Sequence, residues 1–180
     1  MITAKMMVSV LVLAFAMALS VQVEGETNNE AFEKMKTILG KWEGTLHRAG
    51  KEIHLQTQYR LIGGGVSIVE DWIEDGDEMI TVYHNRNGRL SAVHYCALGN
   101  APAFTLESME NDKLTFVFDS ICGLDSKNER FVNRMVYNFE GDNPTEIRQW
   151  GAADGPPANG EEGYVVGRVT LRKVDEWTKK

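Results

Sequence analysis

Cysteine, histidine and basic charge are scarce in this 180-residue chain, and each shortage closes off a class of function. The four histidines (His47, His54, His84, His94) show no acid–histidine spacing typical of zinc, so no metal site is expected. Lys and Arg number 19 against 26 Asp and Glu, for a formal net charge of −7. Such a surface repels nucleic acid and anionic lipid, and no basic cluster offsets it. The two cysteines are Cys96 and Cys122. If Cys96 ends one strand of a meander and Cys122 the next strand but one, they stand about 9.5 Å apart. A disulfide wants Cα atoms under about 7 Å apart. Export permits the bond and this geometry argues against it, although a distorted loop at Ile121-Cys122-Gly123 can close the gap. There is no internal repeat and no linker.

Long apolar runs are missing too. The one candidate, Met6 to Leu19, follows Lys5 and is too short to span a bilayer. A charged start, this run, and small residues at Ala16 and Ala18, or at Val23 and Gly25, read as a secretory signal over residues 1–25. No Cys lies near the cleavage region, so a bacterial lipid anchor is not expected. The expected product is a secreted or periplasmic single domain, residues 26–180, without a stable membrane anchor. Removing residues 1–25 takes away Lys5 and Glu24 and leaves the charge balance unchanged.

What is present is mostly alternation. Asn28 or Asn29 can cap a short helix, Glu30 to Leu39, whose Phe32, Met35, Ile38 and Leu39 form one apolar face before Gly40 ends it. From Lys41 the period becomes two. Ile53, Leu55, Thr57, Tyr59 and Leu61 alternate with polar residues, the clearest half-buried strand in the chain. Gly63-Gly64-Gly65 breaks it. Asn87-Gly88 is a strong hairpin signal, and Gly99-Asn100-Ala101-Pro102 is turn chemistry or a rim loop touching ligand. The other expected strands are Trp42–His47, Val66–Ile73, Glu78–Asn85, Arg89–Cys96, Phe104–Met109, Lys113–Ile121, Asn133–Phe139, Thr145–Trp150 and Tyr164–Val174. Ten strands joined mostly by short turns, without helices between them, predict an all-β, up-and-down antiparallel barrel with one short N-terminal helix. The irregular segment Gly151 to Gly163 reads as a surface loop or a lid, and Trp150 beside it as a core edge or part of the mouth.

Two resemblances follow. Gly40-Lys41-Trp42 just after the helix, with Arg168 and Arg172 in the last strand, resembles the calycin superfamily of lipocalins and fatty-acid-binding proteins. That likeness implies Trp42 closing the barrel beneath a basic residue of the final strand, here Arg172 or Arg168, a cation–π contact. His94-Tyr95-Cys96-Ala97-Leu98-Gly99-Asn100 followed by Pro102 is similar to the Thr-His-Tyr-Cys-x-x-Gly-Asn-Gln-Pro block of a mostly bacterial family of unknown function. Val93 and Ala101 depart from that block and imply a less polar site if they touch a ligand. The likeness implies a lipocalin-like barrel and no activity.

The hairpin around Asn87-Gly88 fixes which residues face one another. A two-residue turn sets Thr81 opposite His94, Tyr83 opposite Ala92, Met79 opposite Cys96, Ile80 opposite Tyr95 and Val82 opposite Val93. It also sends His84 and His94 to opposite faces. His94 can act as a general base, a haem ligand or a ligand-orienting group; the structural alternative is a buried His bonded to Thr81. No His follows His94, which excludes a haem ligand from the last strands, and no cofactor is expected. Cys96 shares a strand face with His94, but activated thiolates sit beside cations or helix N-termini. Glu70 and Asp71 point to opposite faces and cannot form an acid pair. An inward Glu70 needs a partner, such as Arg168, Arg60 or a ligand.

The leading expectation is an exported protein binding a small hydrophobic or amphipathic molecule. Its apolar wall would comprise Tyr59, Phe104, Leu106, Phe116 and Phe118, with His94, Glu70, Asn100 and Arg168 as polar contacts. The alternatives are an enzyme using His94 as base and a structural barrel with a packed interior.

Overall fold

The structure, a computed structural model, describes residues 28–119, 123–125, 128–139, 144–151 and 165–178, the side chains of 147–151 and 165 excepted. The expected signal segment, Cys122 and the disulfide weighed for it, the Trp150 side chain and all but the first residue of the Gly-rich loop lie outside this set.

Ten strands follow a short helix, α1, at residues 28–36. They are β1 (Gly40–Arg48), β2 (Lys51–Ile62), β3 (Ser67–Glu74), β4 (Asp77–Arg86), β5 (Arg89–Tyr95), β6 (Ala103–Glu110), β7 (Lys113–Phe118), β8 (Phe131–Asn138), β9 (Thr145–Gly151) and β10 (Val165–Val174). Each pairs antiparallel with its sequence neighbours, and β1 pairs with β10 to close a barrel. The all-β barrel read from alternation is therefore the fold. Asn87 (φ 55) and Gly88 (φ 68) supply the two positive-φ residues of a tight hairpin. The register follows: Thr81 pairs with His94, Val82 with Val93 and Tyr83 with Ala92. The ladder stops at Ile80–Tyr95, so Met79 and Cys96 fall beyond it.

Helix α1 begins earlier than expected, and Asn28 does not cap it. Asn28 is buried, and its Oδ1 accepts the Leu90 backbone N–H at 2.7 Å. The Asn29 Oδ1 likewise accepts from the Asn85 side chain at 2.9 Å. The helix thus docks against β4 and β5, and Lys34 pairs with Asp112 in the β6–β7 turn. Ala31, Phe32, Met35 and Ile38 are buried in the common core. In an antiparallel meander the β4–β5 and β6–β7 turns share one end, which α1 seals. The strand ends Tyr95, Ala103, Phe118, Phe131, Gly151 and Val165 share the other. That end carries the long connections and is not covered by α1; it is termed the open end for that reason.

Closure around Trp42 departs from expectation in one respect. The cation over the indole is Lys173, with Nζ 5.5 Å from the ring centroid, not Arg168 or Arg172. Lys173 is the register partner of Trp42, so the two share a face. Arg168 and Arg172 are exposed and lie one residue out of phase, on the outer wall. Arg172 donates instead to Glu43 at 2.8 Å. Gly40 has φ +121, and a Cβ there would lie 3.3 Å from Lys173 Cε. The glycine of the tripeptide therefore gives the chain its turn and leaves Lys173 its path to the indole. The Trp42 Nε1–H donates to the Ile38 carbonyl at 2.7 Å, tying the wall to the end of α1.

Candidate functional site

The alternation of β2 to β5 places four polar side chains in one line on the inner wall. Tyr59 pairs with Glu70, Glu70 with Thr81, and Thr81 with His94. All four are buried, with Glu70 at 0% and His94 at 1% exposure. Burying such groups is costly unless each is hydrogen-bonded. The Thr81 hydroxyl and His94 Nδ1 lie 3.0 Å apart and are hydrogen-bonded. The Tyr59 hydroxyl donates to Glu70 Oε1 at 2.7 Å. The Tyr83 hydroxyl donates to Glu70 Oε2 at 3.0 Å. Neither Arg60 nor Arg168, the expected cations, is among these contacts: Arg60 bonds Asp71 on the outer wall at 2.9 Å, and Arg168 is exposed. Two phenols, Tyr59 and Tyr83, donate to this carboxylate.

A crossbar continues from Glu70. Tyr83 of β4 meets Tyr137 of β8 hydroxyl to hydroxyl. Tyr83 gives its only proton to Glu70, so Tyr137 is the donor of this second bond. The chain runs Tyr137 to Tyr83 to Glu70, with Tyr59 arriving from the other side. Each donor polarises the next. Burial, then the carboxylates of Glu146 and Glu70 and the phenols of Tyr83 and Tyr59, hold the Tyr137 phenol well above its usual range. Tyr137 therefore stays protonated and a donor at neutral pH. Glu146, its register partner, is buried as well. Phe116 packs edge-on to both rings, at 5.6 Å from Tyr83 and 6.2 Å from Tyr137. Tyr83 and Tyr137 sit nearer the strand ends closed by α1, so the crossbar forms a floor.

The apolar residues named from sequence take their places above and around it. Phe104 and Phe116 are buried, and Phe118 stacks on Phe131 at 4.5 Å near the open end. Leu106 packs against the core from a partly buried position. Asn100 lies in the loop at the open end, where its Nδ2 donates to the Arg130 carbonyl at 2.9 Å and joins two rim connections. His84 faces outward and bonds Ser67 at 2.8 Å, so it stays apart from His94. Tyr83, Tyr137 and Glu146 were missed from sequence. Alternation put Tyr83 opposite Ala92, but nothing local says which inward residues meet across a barrel.

Among the described residues no group of three or more His, Cys, Asp and Glu comes together to hold a metal, and no helix is long and apolar enough to cross a membrane. No protein-family model, curated protein or solved structure matches the chain. The fold and the site define a class: a closed ten-stranded antiparallel β-barrel, sealed at one end by a helix, with a buried tyrosine–glutamate–histidine belt inside.

Proposed function

We propose that this is an exported calycin-like barrel that binds a small amphipathic molecule between the tyrosine floor and the open end. The belt Tyr59–Glu70–Thr81–His94 carries the reading. A barrel that needed only to be stable would be served as well by apolar side chains at these four positions, because a buried polar network gains little net stability over a well-packed apolar core. A few placed polar groups in an aromatic wall are instead the usual composition of a ligand site. His94 and Glu70 would orient the polar group of the ligand, and Phe104, Phe118 and Phe131 would cover its apolar part.

Native mass spectrometry of the exported protein, with displacement of a hydrophobic fluorophore, tests this. A co-purifying molecule, and fluorophore binding weakened by His94→Gln in protein that still melts cooperatively, is the expected result. A second reading, a structural barrel with a packed interior, draws on the contact of Tyr83 with Tyr137 across the barrel. A protein that carries nothing and leaves the fluorophore in water would favour that reading.

A further inference from the structure

One inner-face row lies a step closer to the open end than the belt. Trp42 pairs with Thr57, Thr57 with Trp72, and Trp72 with Met79. Three of these four side chains have obvious reasons to be inside. Trp42 bonds the Ile38 carbonyl, Trp72 donates its Nε1–H to Glu74 at 2.9 Å, and Met79 is apolar. Thr57 is the exception. It is 0% exposed, and its Oγ1 makes no hydrogen bond. A buried hydroxyl without a partner is destabilising, and valine has the same shape without that cost. Two tryptophans flank it in register, and Tyr59, the donor to Glu70, is its neighbour along the inner face of β2.

We infer that the Thr57 hydroxyl is a specificity contact, donating to the terminal oxygen of a neutral, alcohol- or carbonyl-ended amphiphile. The inference rests on the proposed function and names its ligand class. A lone hydroxyl flanked in register by two tryptophans matches a single polar atom at the end of an apolar chain. The ligand end is neutral because the Glu70 carboxylate in the adjoining row repels an anion, while its oxygens already accept from Tyr59 and Tyr83 and Thr57 itself carries no charge to pair with an ammonium.

The test uses the full exported chain, a bound hydrophobic fluorophore, and three displacing probes of equal length: 1-decanol, decylamine and decanoate. Wild-type protein should bind 1-decanol tightest. Thr57→Val should weaken 1-decanol about 10-fold, the factor one lost hydrogen bond gives, and change the two charged probes less than about 2-fold. Thr57→Ser, which keeps the hydroxyl, should retain the preference. Without ligand, Thr57→Val should melt at or above the wild-type temperature, because it removes an unsatisfied group. Equal losses for all three probes, or none for 1-decanol, overturn the inference and leave the binding function standing. A lower melting temperature for ligand-free Thr57→Val also overturns it, since the hydroxyl would then be held by a structural water. A wild-type barrel that takes up neither fluorophore nor probe removes the proposed function and this inference together.

Discussion

Gly44 and Thr170 lie so close that a Cβ on Gly44 would fall 1.9 Å from the Thr170 carbonyl oxygen. This is the β1–β10 seam, the pairing that turns a meander into a barrel. The obstacle is backbone, which cannot swing aside as a side chain can. Gly44→Ala should therefore cost about 3 kcal/mol, the upper range for overpacking. Gly50, in the β1–β2 turn, has φ +74 and open space around its Cβ position. Gly50→Ala should cost about 1 kcal/mol, from backbone conformation alone. Urea unfolding of the two variants side by side checks the order; equal costs would mean the seam is not the tight point.

Glu43 gives a pH dependence with a defined sign. It faces the outer wall yet is only 4% exposed, because residues near 178 fold over it. Its carboxylate accepts the Thr178 N–H at 3.0 Å and hydroxyl at 2.9 Å, the Gln56 amide at 3.2 Å and the Arg172 guanidinium at 2.8 Å, with His54 Nε2 at 3.4 Å. Burial pushes its pKa up, but the bonds from Gln56 and Thr178 and the charge of Arg172 outweigh this and hold it below the ordinary carboxylate value. The folded value is lower than the unfolded one. The stabilisation is thus present above the unfolded pKa and fades as pH falls through the folded one. Glu43→Gln should cost about 2 kcal/mol at pH 7, as for charge-assisted hydrogen bonds. Melting curves of both proteins should converge as the pH drops below about 4. A gap that stays constant down to pH 3 would sink this account.

Asn28 offers a test of how α1 is held. Its Oδ1 is the acceptor for the buried Leu90 amide. Asn28→Ala strands that N–H and should cost about 2 kcal/mol. Asn29→Ala removes only an exposed bond to Asn85 and should cost less than about 0.5 kcal/mol. Hydrogen exchange at the Leu90 amide should quicken in the first variant and not in the second.

Alternation and turn chemistry made the strands and the Thr81–His94 pairing legible, because Asn87-Gly88 admits one short turn and the turn fixes every later pair. The same logic failed at β10. That strand follows a long Gly-rich segment whose sequence carries no two-residue hairpin signal, so no turn set its phase. A shift of one residue exchanges Arg172 for Lys173 over Trp42. The donors to Glu70 were hidden for another reason: the sequence leaves its partner open among Arg168, Arg60 and a ligand, and phenols, neutral and aromatic, read as wall. Tyr83 and Tyr137 are 54 positions apart, and only the curvature of the closed barrel brings their hydroxyls together.

The donor order within that crossbar predicts an asymmetry. Tyr83 both donates to Glu70 and accepts from Tyr137. Tyr83→Phe takes a donor from a buried carboxylate and an acceptor from a buried phenol, and should cost about 3 kcal/mol. Tyr137→Phe removes only the outer donor and leaves the Tyr83–Glu70 bond in place, so about 1 kcal/mol is expected. The double variant should then cost no more than Tyr83→Phe alone, since without Tyr83 the Tyr137 hydroxyl has lost the bond that justified its burial. Urea unfolding of the three proteins supplies the cycle. Strictly additive costs would show that the two hydroxyls are neighbours without being coupled, and the proton order argued from Glu70 outward would fall with that result.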